Sequence, residues 1–297
     1  FFYCYRKENV SKKYRIPEHI FFRASVTAYA KMWGLNCIKD KLTTSQKILF
    51  RQTCMGYFLD MSELTFSGIL VHELLLREVH TSNLEDEMWF YIGRKRIRFS
   101  RQEFVLITGL QMRDYPPAQQ LHRKLGTRLW DTYFSGVKKL SYIFLDQWYA
   151  RLNLEKMDDA DAVKLSLFYF VHRVLIPRDE RSGIQNFVLC LVDDLDEFNK
   201  YPWGNIAWTV LHNSLKKAAF QKLEKIKRKG FAQKKFESYN VYGFSHAFLV
   251  RHNFLVLNFL ILIIYFVCIR QTYILKIIIL GMDFRGNSSV RRDFWLS

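Results

Sequence analysis

The chain has 297 residues, enough for one large domain or two small ones, and 49 % of them are hydrophobic and 16 % aromatic. That much apolar material excludes disorder over most of the length. A net charge of +17 favours acidic partners, namely nucleic acid, an anionic membrane or an acidic protein surface.

The opening Phe-Phe-Tyr-Cys-Tyr lacks a methionine, the start expected of a fragment or a truncated gene model. Arg6, Lys7 and Glu8 interrupt it too early for a signal peptide. Residues 1–42 read as a basic, aromatic lead, and residues 43–250 as a helical domain. Thr43-Thr44-Ser45 offers an N-cap for a helix reaching about Asp60. A second helix is expected from Phe66 to Val79, with Ile69, Leu70, His72, Leu74, Leu75 and Leu76 on a broad apolar band.

The next stretch is a hairpin followed by a helix. Trp89 to Ile92 runs into Gly93-Arg94, and Lys95 to Phe99 returns with Ile97 and Phe99 alternating against Arg96 and Arg98. Ser100 and Glu103 have capping-box spacing, in which each side chain satisfies the other's free backbone N–H. Gly109 is placed to take the left-handed turn that ends the helix. Pro116-Pro117 then forces an extended loop.

A helix over Val137–Leu154 carries Leu140, Phe144, Trp148 and Leu152 at spacing four. Asp158, Asp159 and Asp161 open the next helix, where carboxylates oppose the positive end of its dipole. That helix buries Leu165, Phe168, Tyr169, His172 and Leu175 before Pro177. Phe187, Val188, Leu191 and Leu195 mark another helix. The longest runs from Ile206 to Lys229, with Asn205 as its cap.

From Phe254 to Ile269 only Asn258 interrupts an apolar run. Sixteen residues is short of the ~20 needed to span a bilayer. The readings are a marginal membrane span, a buried core segment, or translated noncoding sequence, since an abrupt shift to Phe, Ile, Leu, Tyr and Lys fits a gene-model error. Residues 251–297 are therefore set apart as an apolar tail.

Few residue patterns carry chemistry. The cysteines Cys4, Cys37, Cys54, Cys190 and Cys268 are scattered, with no zinc-ligand spacing, and point to a reducing, intracellular compartment. Q-T-C-M-G around Cys54 has no nearby base, so a buried structural cysteine is expected. His72-Glu73 fails the zinc-protease motif because Leu76 stands where the second His belongs. His72 and His172 fall on apolar faces and read as satisfied core histidines. The acidic groups Asp158–Asp161 and Asp193–Glu197 lack calcium-loop spacing. Neither a phosphate loop nor a dinucleotide fingerprint exists. No catalytic residue, metal or cofactor is expected.

The sharpest electrostatic feature is the run Lys216, Lys217, Lys222, Lys225, Lys227, Arg228, Lys229, Lys234 and Lys235, opposed by Glu224 and no other acid within it. Such density can grip phosphates. The bland reading is a solvated helix end whose cations complement the dipole.

The segments L-F-R-Q-T-C-M-G-Y-F-L-D-M, F-S-G-I-L-V-H-E-L-L-L-R-E-V and E-M-W-F-Y-I-G-R-K-R-I-R-F-S-R-Q-E-F-V-L-I-T-G-L, in that order, resemble an uncharacterised plant domain of unknown function found in Mutator-like transposable elements. The resemblance runs from about Leu49 to Val250. In those proteins the domain often precedes a ubiquitin-like-specific (SUMO) cysteine protease. Y-P-W-G-N-I-A-W-T-V-L-H-N-S-L is more loosely similar to the plant mobile domain. The resemblance supplies no catalytic residues; the protease's His, Asp and Cys, with Gln shortly before the Cys, are expected downstream of Val250, where the apolar tail stands instead, so the protease is expected to be absent.

The expectation is a mostly α, multi-helix domain with one small β-hairpin and an apolar C-terminal tail. Functionally it reads as a non-enzymatic, transposon-derived interaction module, nuclear, contacting nucleic acid or a protein partner. The alternatives are the substrate-recognition part of a SUMO protease whose catalytic domain is missing, and a tail-anchored membrane protein held by Phe254–Ile269.

Overall fold

One helix of this chain, Asp159–Phe170, is apolar nearly all round, which is the pattern of a segment enclosed by its neighbours. The computed structural model describes residues 14–62, 64–82, 86–92, 95–116, 126–180, 182–184, 186–230 and 236–250. The expected turn at Gly93-Arg94, the cations Lys234 and Lys235, and the Phe254–Ile269 run lie outside them.

In chain order the helices are α1 (Met32–Lys41), α2 (Thr44–Arg51), α3 (Gly68–Leu76), α4 (Arg101–Thr108), α5 (Arg128–Tyr133), α6 (Tyr142–Arg151), α7 (Asp159–Phe170), α8 (Phe187–Val192), α9 (Leu195–Lys200) and α10 (Trp203–Arg228). The strands are β1 (Ala24–Ala28), β2 (Glu78–Val79), β3 (Glu87–Ile92), β4 (Lys95–Ser100) and β5 (Glu237–Val241). The described residues are thus mostly helical, with a three-stranded antiparallel sheet in the order β2-β3-β4 and a separate parallel pair, β1-β5.

Helix α7 buries Ala162, Val163, Leu165, Leu167, Phe168, Tyr169 and Phe170, and its chain continues through a buried π-helical turn, Val171–Leu175. Around it, Phe58 meets Phe170 at 4.8 Å between ring centroids and Tyr149 of α6 stacks on Tyr169 at 4.1 Å. Asp158 caps α7 by accepting from the Asp161 N–H at 3.0 Å.

The hairpin forms with Phe90 opposite Ile97 and Met88 opposite Phe99. Ser100 closes β4 and also caps α4: both positions want extended backbone, and its φ of -132° and ψ of 178° supply it. The Gln102 N–H donates to Ser100 Oγ at 3.2 Å and the Ser100 N–H donates to Glu103 Oε2 at 2.8 Å. Gly109 takes φ 68° at the far end. Gly243, just past β5, has φ 75°, and a Cβ there would lie 2.8 Å from the Leu211 backbone nitrogen, so only glycine lets this turn lie on α10.

Several expected boundaries shift, each for a local reason. The helix expected to reach Asp60 stops at Arg51 and resumes as a 3-10 turn, Gly56–Asp60. Gly56 folds so closely that a Cβ would sit 2.2 Å from the Arg51 carbonyl oxygen. Helix α3 ends at Leu76 because Glu78 and Val79 pair with β3. Helix α6 starts at Tyr142, where Ser141 Oγ accepts from the Phe144 N–H at 3.1 Å. Helix α10 begins at Trp203 rather than Ile206, and Asn205 donates instead to the Arg113 carbonyl.

His72 is satisfied as expected, its ring nitrogens 2.9 Å from Tyr239 Oη and 2.7 Å from the Phe22 carbonyl. His172 is not: its Nε2 is buried without a partner among the described residues, as are His212 Nε2 and His246 Nδ1. Burial lowers these three pKa values to about 3, about 4 and about 4.

Between these values and the ordinary ~6.5, the unfolded chain binds more protons than the folded one. Stability therefore rises with pH in that window and is lost on acidification, by roughly 1.4 kcal/mol per pH unit for each histidine. A urea midpoint that falls between about pH 7 and pH 5, with a shallower fall in His172→Leu, is the expected outcome. A flat midpoint over that range contradicts it. Ser100→Ala should cost about 1 kcal/mol in the same assay.

Candidate nucleic-acid interface

Helix α10 is amphipathic over its 26 residues. Its inner stripe buries Ala207, Trp208, Leu211, Leu215, Ala218, Ala219, Leu223 and Ile226. Trp208 anchors it against Phe99 and Phe104, at 5.4 Å and 5.8 Å. That anchoring turns the remaining positions outward, and the basic run occupies them.

The structure divides the run. Lys216 is half-buried beside Glu78, whose carboxyl is raised mainly by burial and partly lowered again by Arg15 and Lys216. Lys222 is also half-buried, with Nζ 2.6 Å from Glu237 of β5. Lys217, Lys225, Lys227, Arg228 and Lys229 are exposed. Lys227 pairs with Glu224 at 3.1 Å, an exposed i, i+3 contact worth little. Lys217, Lys225, Arg228 and Lys229 have no ion-pair partner among the described residues. Lys234 and Lys235 fall outside the described residues.

The other groups weighed in the sequence take structural positions. Burial pushes the Cys54 thiol up to about 12, so it stays protonated at neutral pH, and its N–H donates to Asn199 Oδ1 at 2.8 Å. Arg128 joins the two acidic clusters, 2.6 Å from Asp161 and 2.7 Å from Asp193, tying α5 to the start of α7 and the end of α8. The Arg128 hydrogen bond is the main reason the Asp161 carboxyl lies below its usual range, against the upward push of burial. Asp194 caps α9. No group of three or more His, Cys, Asp or Glu side chains able to hold a metal occurs among the described residues, and no helix there is long and apolar enough to cross a membrane. A groove on α6 lined by Phe144, Gln147, Trp148, Arg151 and Leu152 encloses about 170 Å³, less than the ~300 Å³ of small ligand pockets.

Two features had no signal in the sequence. Arg173, in the π-helical turn, is buried 2.8 Å from Asp146, between the Trp33 and Tyr142 rings at 5.7 Å and 5.4 Å. Its Nε and Nη1 have no partner among the described residues. Arg15 lies 4.5 Å over the Phe220 ring of α10 and pairs with Glu78. Neither partner set is near in sequence, so no spacing rule could have found them.

Residues 75–214 match the model of a family described as Domain of unknown function (DUF1985). The matched stretch begins inside α3, contains the hairpin and α4, and ends midway along α10. No curated protein and no solved structure matches the chain.

The division of the basic run predicts different behaviour from neighbouring lysines. Lys222→Gln breaks the half-buried pair to Glu237 and should lower unfolding stability by about 2 kcal/mol. Lys225→Gln should leave stability within about 0.5 kcal/mol. Equal losses in urea titrations of the two variants would contradict this division.

Proposed function

We propose that the chain is a non-enzymatic interaction module that holds nucleic acid by its phosphates, with the exposed end of α10 as the grip. One observation carries the reading: Lys217, Lys225 and Arg228 on α10 and Lys229 at its C-cap stand exposed, without acidic partners among the described residues. Cations already tied to carboxylates gain little from a phosphate, whereas unpaired ones release the polymer's counterions on binding. Contact through phosphates fixes position and carries no sequence information. The transposon origin and nuclear location belong to the same reading. What supports them is the likeness of the three quoted segments, and the second and third of these reach into or lie within residues 75–214.

The test is a gel-shift series with the full chain at several salt concentrations. Affinity should fall steeply with salt and differ little between sequences. Replacing Lys225, Lys227, Arg228 and Lys229 together with Gln should flatten the log–log salt slope by roughly 2 to 3 units, since each phosphate contact contributes about 0.7–0.9 and Lys227 is already tied to Glu224. The urea midpoint of that variant should be unchanged. Absent or salt-independent binding overturns the proposal and makes the charge a solvated helix end.

A further inference from the structure

The β1-β5 pair presents one face to the core and the other outward. Ala24, Val26 and Val241 are buried on the inner face. The register pairs Ser25 with Ser238 and Thr27 with Asn240 on the other side. Thr27, Ser238 and Asn240 are exposed. Continuing the same register by one residue at each end sets Arg23 beside Phe236 and Tyr29 beside Tyr242. The Glu237 N–H donates to the Arg23 carbonyl at 2.9 Å, and the Tyr29 and Tyr242 rings lie 4.8 Å apart, which supports both extensions.

This outer face is polar in the middle and aromatic at its ends. Phe236 is 55 % exposed, the one phenylalanine among the exposed large hydrophobics of the described residues. Arg23 beside it is exposed. From Phe236 to Tyr242 the strand covers about 20 Å, long enough for several nucleotides.

The Phe236 end of the strand lies beside the basic end of α10. Lys222 pairs with Glu237 at 2.6 Å, and the Tyr242 N–H donates to Ser214 Oγ at 2.8 Å, so β5 runs antiparallel to α10. Lys225, Arg228 and Lys229 therefore extend past the Phe236 end of the strand. The Glu237 carboxylate sits on the α10 side, neutralised by Lys222. At the other end Asp179 lies near Tyr242 and Lys31 Nζ lies 5.8 Å over the Tyr29 ring, so that end carries both signs of charge.

We infer that this face binds single-stranded nucleic acid, with Phe236 as a base-stacking platform and the α10 end holding the adjoining phosphates. The inference rests on the phosphate-binding reading above and narrows it. An exposed aromatic next to unpaired cations is what an unpaired base and its backbone need, because every base has a π-face and stacking is tolerant of sequence. A duplex hides its bases and would use the cations alone.

Fluorescence anisotropy with the full chain, a labelled oligothymidylate and a labelled mixed-sequence duplex of the same length tests this. The single strand should bind more tightly. Phe236→Ala should weaken it about tenfold with the salt slope and the duplex affinity unchanged, and Phe236→Trp should restore binding. Ser238→Glu, which adds charge to the exposed face without touching the core, should also weaken single-strand binding. Circular dichroism checks that each variant folds. Equal affinity for both probes, with Phe236→Ala and Ser238→Glu both neutral, overturns the single-strand inference and leaves the phosphate grip standing. No salt-dependent binding of either probe overturns both.

Discussion

The enclosure of α7 and the π-helical turn after it is the constraint on which the other elements depend. From Ala162 to Leu175 the chain buries every residue except the half-buried Lys164. A segment apolar on all sides cannot sit on a surface, so other elements must surround it. Helices α1, α2, α6 and α8 do so, and the aromatic contacts of Phe58, Tyr149 and Phe134 fill the spaces between them. The π turn brings a cost inside that enclosure. It carries Arg173 and His172 into the interior, where one is held by Asp146 and two rings and the other stays neutral.

Around the hairpin the logic differs. Phe90 and Phe99 meet Phe248, and Phe99 and Phe104 meet Trp208, so the sheet, α4 and α10 share one aromatic junction. This junction fixes how α10 is rolled about its axis. The exposed cations follow from that roll: with Trp208, Leu215, Leu223 and Ile226 turned inward, Lys217, Lys225 and Arg228 have only the solvent side left. The basic surface is thus a product of core packing on the opposite side of the same helix.

Features encoded by neighbours in sequence were readable from it. Ser100 with Glu103, Gly109, the Asp158 cap and the apolar stripe of α10 all follow from spacing and local chemistry. The breaks at Arg51 and Leu76 were not readable, because a close backbone approach ends one helix and a strand pairing ends the other. The divided fate of the basic run was also hidden. Lys222 and Lys225 look equivalent in sequence, yet Glu237 reaches only one of them. The outer face of β1-β5 was the least legible part, since its two strands come from opposite ends of the described chain and neither is a long alternating run.

That parallel pair sets a condition on the order of events as the protein is made. Ala24 leaves the ribosome roughly two hundred residues before Glu237, its partner, and domains emerge from the N-terminus at about 5–20 residues per second. For some tens of seconds β1 has no strand to pair with, while Val26 and Phe22 have no finished core to enter. Closing so long a loop is also slow once both ends exist. β5 and the buried Phe244, Phe248 and Leu249 after it emerge late, and until they do the nascent chain exposes an apolar strand edge of the kind that chaperones and aggregation compete for.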